Sequence, residues 1–245
     1  MPLSTTKGKQ PKPRRIMLYG VHGIGKSTFA HESPGSVFLP TEDGISDLDV
    51  EAFPLAESFG DFMGYLAELC QEEHDRKTIV IDTLDWLERL IWQAVVDEQG
   101  KSEITSIEDI GYAKGYVFAL KQWRQVLTAL DWLRNNKGMS CILLAHARVQ
   151  KYSPPDNDSF DRYTPKLHKH ASEIVQEWCD EVLFANYQVY TSTQGEGFDK
   201  HTRGVDGGVR IIHTTEKPSH LAKNRCQLPE TLPLSWQKFA DAVSF

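Results

Sequence analysis

The most informative stretch of the sequence lies near its start and reads Gly20-Val21-His22-Gly23-Ile24-Gly25-Lys26-Ser27. This stretch matches the pattern G-x-x-x-x-G-K-[ST] at every fixed position. Glycines such as Gly23 and Gly25 let a backbone wrap around a phosphate with its N–H groups inward, and the following helix adds its positive end. In this pattern the lysine, Lys26, reaches the β- and γ-phosphates, and the hydroxyl of Ser27 binds Mg²⁺. The stretch therefore predicts a site for a nucleoside triphosphate with magnesium.

The flanking residues supply the context that this pattern requires. The apolar run Arg15–Tyr19 before the loop predicts a buried strand, and Lys26–Glu32 after it predicts the start of a helix. We therefore expect Gly20–Ser27 and the adjoining Thr28 to contact the nucleotide. The alternative is an ordinary glycine turn.

A carboxylate closes the run Thr78–Asp82, whose β-branched, apolar residues are typical of a central parallel strand. Ligands of parallel sheets bind at the carboxyl ends of the strands. Asp82 is thus the predicted metal acid, which holds the hydration shell of Mg²⁺ opposite Ser27. The alternative is that Asp82 caps a helix beginning near Leu84, although Asp85 could take that role instead.

Apolar strands alternate with amphipathic helices along the chain. This alternation predicts an α/β fold with a mostly parallel central sheet and helices on both faces. The later strands Glu181–Tyr190 and Val209–Thr214 are expected to form an antiparallel C-terminal extension, and Ala147–His170 is predicted to be a polar loop. Four tryptophans at helical spacing are expected to be core residues, namely Trp86, Trp92, Trp123 and Trp132.

Composition and charge narrow the class of protein. Of 245 residues, 40% are hydrophobic and 25% are charged, which argues against a disordered chain. The 27 basic residues are outnumbered by 34 acidic ones, which excludes a uniformly basic nucleic-acid coat. The first fifteen residues hold five of those basic residues and no acidic one. They predict a flexible arm (residues 1–15), either a solubilising tail or a contact for a polyanion, before one folded domain (residues 16–245).

No apolar run approaches the roughly 20 residues that a membrane span needs. Four widely separated cysteines lack the spacing of zinc ligands and suit a reducing compartment. These features predict a soluble cytoplasmic protein that does not bind membranes.

Four further stretches resemble the RecA-like ATPases, the superfamily of recombinases and DnaB-type helicases. They are Phe38–Asp43, Leu143–His146, Asp180–Phe184 and Lys223–Arg225. More narrowly, the chain resembles phage-encoded RecA-like ATPases that support single-strand annealing and recombination. This resemblance implies a RecA-like P-loop NTPase domain, ATP and Mg²⁺ as cofactors, and, for a phage protein, the cytoplasm of a bacterial host.

The resemblance also implies roles for individual polar side chains. Glu42 would be the base that polarises the attacking water, unless Asp43 is the base or Glu42 is a plain loop carboxylate. His146 would sense the γ-phosphate by donating one hydrogen bond from a neutral imidazole, or it is simply a satisfied histidine at a strand end. Lys223 and Arg225 would act on the γ-phosphate of a neighbouring subunit, which requires a homo-oligomer, whereas a surface ion pair is the alternative for Arg225.

The stretch Ala147–His170 interleaves cations with aromatic rings, the usual composition of single-strand binding sites. Because it directly follows His146, a γ-phosphate sensed there would reorder it. The predicted nucleic-acid contacts are Arg148, Lys151, Tyr152, Arg162, Tyr163, Lys166 and Lys169. The alternative is a solvated loop whose rings fold back on the core. For Ile104–Tyr116 the sequence leaves three alternatives open: a second DNA-facing loop, a subunit contact, or a turn before the next helix.

These features predict a Mg²⁺- and ATP-dependent RecA-like ATPase that binds single-stranded DNA as a ring or filament and promotes annealing or recombination. Water attacks the γ-phosphate while Glu42 orients it, Lys26 and Mg²⁺ neutralise charge, and Arg225 acts from the next subunit. A single-stranded-DNA-binding protein is a candidate partner. The alternatives are a helicase motor or helicase loader, a nucleotide or small-molecule kinase, and a non-catalytic, ATP-gated DNA-binding scaffold.

Overall fold

The computed structural model describes residues 3–8, 10–156, 158–194 and 201–243, and for residues 189–194 and 201–207 it describes the backbone alone. The strands are β1 (Arg15–Gly20), β2 (Ser36–Pro40), β3 (Glu51–Ala52), β4 (Thr78–Asp82), β5 (Ser140–Tyr152), β6 (Phe160–Pro165), β7 (Glu181–Gln194), β8 (His201–His213), β9 (Lys223–Asn224) and β10 (Thr231–Pro233). The α-helices are α1 (Lys26–His31), α2 (Phe59–Gln71), α3 (Leu84–Asp97), α4 (Lys114–Trp132), α5 (Lys169–Trp178) and α6 (Trp236–Ala242). In these described ranges, no helix is long and apolar enough to cross a lipid bilayer.

One sheet holds the strands in the order β10-β8-β7-β1-β5-β4-β2-β3. The central strand β1 lies between β5 and β7 and is parallel to both. The parallel arrangement continues through β4 and β2, whereas β8 and β10 run antiparallel beyond β7. This topology confirms the predicted fold class, a mostly parallel sheet with an antiparallel C-terminal extension.

The sheet separates two apolar cores, because successive side chains of a strand point to opposite faces. From β1, Met17 and Tyr19 pack with apolar side chains of α2, α3, α4 and α5. Ile16 and Leu18 point the other way and pack with α1 and α6. Every residue of β1 after Arg15 is buried, so the loop that follows this strand starts from the most enclosed part of the sheet.

The prediction of a polar loop over Ala147–His170 is wrong. Strand β5 continues to Tyr152 and pairs antiparallel with β6, so residues 147–152 and 160–165 form the two strands of a hairpin, the β5–β6 hairpin. Val149 lies opposite Tyr163, and Tyr152 lies opposite Phe160. Cross-strand pairs of β-branched and aromatic side chains stabilise a ladder of this kind, even where charges and prolines suggest a loop.

The expectation of four core tryptophans is wrong for two of them. Trp123 is buried and Trp92 packs against the core, but Trp86 and Trp132 are 39% and 41% exposed. The guanidinium of Arg89 covers the ring of Trp86, with its central carbon 4.2 Å from the ring centroid. A large ring at the border of an apolar helix face can be half covered, and helical spacing alone does not reveal this.

The last residues of the predicted arm contact the folded domain. Nη2 of Arg15 lies 2.9 Å from Oδ1 of Asp180, and Nη1 of Arg14 lies 3.5 Å from Oε1 of Glu181. Three other residues of the arm, Met1, Pro2 and Lys9, lie outside the described residues. The boundary between residues 15 and 16 stays a prediction.

Candidate nucleotide-binding site

The carboxyl ends of the parallel strands meet at one edge of the sheet, here called the nucleotide edge. Gly20 ends β1, Asp82 ends β4, and His146 lies on β5 directly opposite Gly20. Glu42 follows the end of β2 by two residues. Because β5 lies between β1 and β4, His146 stands between the glycine-rich loop and the predicted metal acid. The structure therefore gathers the predicted residues Lys26, Ser27, Glu42, Asp82 and His146 at this edge.

The backbone of the glycine-rich loop depends on its glycines. Gly25 has φ +108° and Gly23 has φ +69°, in the left-handed region that favours glycine. A Cβ on Gly20 would collide with the carbonyl oxygen of Ala185 on β7, so the chain can leave β1 here only without a side chain. No described atom lies within 4 Å of the position that a Cβ on Gly23 would occupy. The loop is thus packed closely against β7 at Gly20 and open around Gly23, which leaves room for a phosphate beside its backbone.

Lys26 is buried to 6% exposure and its ammonium lies over the loop. Its Nζ donates to the carbonyl oxygens of Gly20 at 3.4 Å and Val21 at 3.2 Å. Burial lowers the pKa of Lys26, although the nearby carboxylates of Asp82 and Glu42 oppose that effect. An ammonium held by two weak acceptors in a buried site can exchange them for a phosphate oxygen.

Ser27 and Asp82 form the predicted metal pair. The hydroxyl of Ser27 donates to Oδ2 of Asp82 at 2.6 Å, although the two residues are 55 positions apart. Burial raises the pKa of Asp82, and the hydrogen bond from Ser27 and the charge of Lys26 oppose that rise. A hydroxyl and a carboxylate oxygen are the hard ligands that Mg²⁺ prefers beside phosphate, so the donor set fits this ion.

Asp85 orients His146, a role that the sequence did not reveal. Its carboxylate accepts a hydrogen bond from the backbone N–H of His146 at 3.0 Å and lies 3.0 Å from the ring Nδ1. Burial alone would raise the pKa of Asp85, but the hydrogen bonds from His146 outweigh it and lower that pKa. Helix α3 has Thr83 at its N-terminal boundary without a side-chain cap, so neither Asp82 nor Asp85 is its cap.

This orientation fixes which ring nitrogen of His146 faces the site. Nε2 points toward Glu42 and lies 3.8 Å from its Oε1. With Nδ1 engaged by Asp85, Nε2 is the ring nitrogen left to face a ligand at this edge. Donation from a neutral ring to the γ-phosphate stays a prediction. The ring of His22 stacks on His146 with centroids 4.0 Å apart, so a loop residue outside the fixed motif positions contacts the candidate sensor.

Glu42 faces the site, whereas the neighbouring Asp43 is exposed. Burial raises the pKa of Glu42, and the charge of His146 opposes the rise. Thr41 ties the end of β2 to the end of β4, because its hydroxyl donates to the carbonyl of Thr83 at 2.7 Å and accepts from the Thr83 N–H at 2.9 Å. Of these two carboxylates, Glu42 is therefore the one that faces the site, and Thr41 fixes the strand end before it, a contact that the sequence did not reveal.

The hairpin residues predicted to bind nucleic acid fall into two groups. Lys151 and Lys169 are exposed, Arg148 and Lys166 are partly buried, and Tyr152 is 43% exposed. In contrast, Arg162 is buried, with Nη2 2.8 Å from Glu216 and its guanidinium 4.8 Å from the Tyr152 ring. Tyr163 stacks on Phe184 with centroids 4.9 Å apart. Arg162 and Tyr163 therefore have packing partners within the domain.

Lys223 and Arg225 lie away from the nucleotide edge. Strand β9 pairs with the first residues of β7, at the opposite edge of the sheet, roughly 13 Å away at the usual rise of a strand. Nζ of Lys223 donates to the carbonyl oxygens at the end of α5, including that of Cys179 at 2.6 Å. The Arg225 side chain is 54% exposed, with Nη1 3.5 Å from Asp180. Neither cation can reach the loop of its own chain.

Helix α3 holds both roots of the β5–β6 hairpin. Asp85 binds His146, the residue just before the hairpin, and Glu88 accepts the backbone N–H of His168, just after it, at 2.9 Å. Burial raises the pKa of Glu88 to about 7. Two carboxylates one turn apart thus connect the nucleotide edge to the hairpin through one rigid element.

A glycine-rich loop between a central strand and a helix, facing a strand-end aspartate across one intervening strand, defines a P-loop nucleotide-binding protein. The chain belongs to the family described as AAA domain, which matches residues 12–226. The crystal structure of the RadB recombinase is similar to this chain with a TM-score of 0.46 and 11% sequence identity, covering 82% of this chain and 80% of that chain. No curated protein sequence matches the chain at a significant level.

Proposed function

We propose that the protein is a Mg²⁺- and ATP-dependent RecA-like ATPase that binds single-stranded DNA as a homo-oligomer and promotes annealing or recombination. The observation that supports the ATPase activity is the convergence of Lys26, the Ser27–Asp82 pair, Glu42 and His146 at one edge of the sheet. Only the loop and the acid are expected of any P-loop protein, whereas Glu42 and His146 add groups suited to hydrolysis.

In this proposal, water attacks the γ-phosphate of ATP. Glu42 accepts a hydrogen bond from that water and orients it, a role that suits a partly buried carboxylate beside a cation. Lys26 neutralises charge on the β- and γ-phosphates. Ser27 and Asp82 would hold Mg²⁺, which, when bound, neutralises charge between these two phosphates. His146, held by Asp85, responds to the γ-phosphate from its Nε2.

The β5–β6 hairpin, together with the start of α5, is the proposed surface for single-stranded DNA. Its exposed cations, Lys151 and Lys169, can neutralise phosphates, and Tyr152 can stack on a base. Arg162 and Tyr163 instead keep the hairpin in place. Because His146 and the hairpin belong to one strand, a change at the γ-phosphate has a direct route to the DNA surface.

A homo-oligomer is proposed because Arg225 lies at the edge opposite the loop, with its guanidinium partly exposed. In a ring or filament such an edge can face the nucleotide of the next subunit, where a guanidinium stabilises charge on the transferring phosphoryl group. Lys223 is the weaker candidate, since the carbonyl groups at the end of α5 already bind its ammonium. A single-stranded-DNA-binding protein remains a proposed further partner.

Steady-state ATP hydrolysis, with and without single-stranded DNA, tests this proposal on the parent protein and on Lys26→Ala. We expect Mg²⁺-dependent hydrolysis that single strands accelerate, and loss of that activity in the variant. Circular dichroism should show that the variant keeps its fold. Hydrolysis that DNA leaves unchanged would contradict the DNA-dependent part of the proposal, and hydrolysis that survives Lys26→Ala would contradict the site.

A further inference from the structure

The glycine-rich loop has a cationic neighbour that its motif does not predict. Nη1 of Arg210, on β8, lies 3.2 Å from the position that a Cβ on Gly25 would take, and Leu234 lies beside it. The backbone of Arg210 is fixed on both sides, because it pairs with Tyr187 on β7 and its carbonyl accepts the N–H of Leu234 at 3.1 Å. The guanidinium therefore projects from a held strand over the mouth of the loop.

Contacts within the domain do not explain this position. In the part of the chain whose side chains are described, the Arg210 guanidinium has no hydrogen bond and no ion pair, and the residue is exposed. By contrast, Arg15, Arg134 and Arg162 pair with carboxylates. A guanidinium beside a loop of inward-facing N–H groups adds positive charge where a phosphate would lie.

The order of the strands indicates which end of a nucleotide Arg210 reaches. His146, Asp82 and Glu42 approach the loop from β5, β4 and the end of β2, all on one flank of β1. Arg210 approaches from β8, on the opposite flank. Since the γ-phosphate must lie near the metal pair and the base, the flank of Arg210 faces the remainder of the nucleotide.

We infer that Arg210 is a second cation of the nucleotide site in the same chain, which binds the α- and β-phosphates of a nucleoside di- or triphosphate. Its planar guanidinium can donate two parallel hydrogen bonds to phosphate oxygens, whereas Lys26 offers a point charge. The inference rests on the proposed nucleotide site and adds to it a residue 185 positions away from Gly25 in sequence. It also predicts that ADP and ATP gain equally from this contact.

Equilibrium binding by isothermal titration calorimetry tests the inference, with ADP and with a non-hydrolysable ATP analogue, each with Mg²⁺. The proteins are the parent, Arg210→Ala, Arg210→Lys and Arg124→Ala, the last being an exposed arginine on α4 as a matched control. We expect Arg210→Ala to weaken both nucleotides about tenfold, which corresponds to about 1.4 kcal/mol. Arg210→Lys should lose less, Arg124→Ala should match the parent, and the melting temperature without nucleotide should not change.

Three outcomes would overturn the inference, and they are distinguishable. If the parent binds both nucleotides and Arg210→Ala binds them equally well, Arg210 is not part of the site, while the proposed function stands. If Arg210→Ala weakens the ATP analogue alone, the guanidinium serves the γ-phosphate and the placement is wrong. If the parent binds neither nucleotide, the proposed function itself fails, and the inference fails with it.

Discussion

The nucleotide edge and the β5–β6 hairpin differ in how they hold their charges. At the edge, Lys26, Asp82, Asp85 and His146 are all less than 8% exposed, and each has a hydrogen-bond partner. On the hairpin, charged side chains such as Lys151 extend into solvent. Buried, partnered charges are preorganised and suit a small ligand of fixed shape, whereas mobile surface cations suit a flexible polymer. The two regions are therefore built for different ligands, and α3 joins them.

The largest expected effect concerns the preorganised edge. Glu42→Gln should lower kcat for ATP hydrolysis by at least about a hundredfold, because the amide orients water poorly and cannot accept its proton. Affinity for ATP should stay within a few-fold of the parent. Stopped-flow or coupled-enzyme kinetics measure the loss.

Asp43→Asn is the matched control, since Asp43 is adjacent in sequence but exposed. It should keep near-parental kcat. If Asp43→Asn loses activity and Glu42→Gln keeps it, the assignment of the base is reversed. If Glu42→Gln abolishes hydrolysis but handles DNA like the parent, hydrolysis is not needed for DNA handling, and an ATP-gated DNA-binding scaffold replaces the proposed function.

The next effect concerns the connection between the regions. The pKa of Glu88, about 7, lies above its ordinary value of 4.5, so the folded protein holds this proton more tightly than the unfolded chain. That contribution to the free energy of unfolding is fully present below pH 4.5 and is lost as the pH rises through 7. Its size is at most about 3 kcal/mol, since one pKa unit corresponds to about 1.36 kcal/mol. In Glu88→Gln, this part of the decrease in the free energy of unfolding with rising pH should be absent.

Urea unfolding at several pH values between 4.5 and 8 measures the difference, with the exposed Glu103→Gln as control. The free energy of unfolding should depend less on pH in Glu88→Gln than in the parent. The Glu103→Gln control should show the same pH dependence as the parent. A Glu88→Gln curve that parallels the parent at all pH values would show that this carboxyl titrates normally.

The smallest effects separate the two groups of hairpin residues. Arg162→Ala should lower the melting temperature by a few degrees, because it leaves a buried site without its ion pair and ring contact. Lys151→Ala should leave the melting temperature unchanged but weaken single-strand binding a few-fold and reduce the salt slope by about 0.7. Thermal melts and fluorescence anisotropy at several salt concentrations measure these changes. The opposite pattern would mean that Arg162, not Lys151, contacts the strand.

What the sequence predicts depends on how local the determining contacts are. The loop and Asp82 are predicted from residue type and spacing at the ends of apolar strands, whereas Glu42 is implied only by the resemblance to RecA-like ATPases. Asp85 acts only because β4 and β5 are adjacent, which brings it to a histidine 61 positions away. No local pattern contains that information. The sequence does not reveal Arg210 for the same reason, because only the fold brings it next to Gly25.

The prediction of a loop at the β5–β6 hairpin is wrong for a different physical reason. Its prolines and alternating charges match a solvated segment, while the aromatic and β-branched pairs that hold its ladder appear only once the strands are in register. Composition thus indicates a region with exposed cations but predicts a loop where the backbone forms a hairpin. It also does not show that Arg162 is buried while Lys151 is exposed.

A crystal structure of the protein with Mg²⁺ and a non-hydrolysable ATP analogue would show directly whether the residues of the nucleotide edge form a nucleotide site. We expect the ion between Oγ of Ser27 and the carboxylate of Asp82, with the γ-phosphate near Lys26 and His146. The α- and β-phosphates should lie within reach of Arg210. A nucleotide bound elsewhere, or Ser27 turned away from the ion, would contradict the central claim.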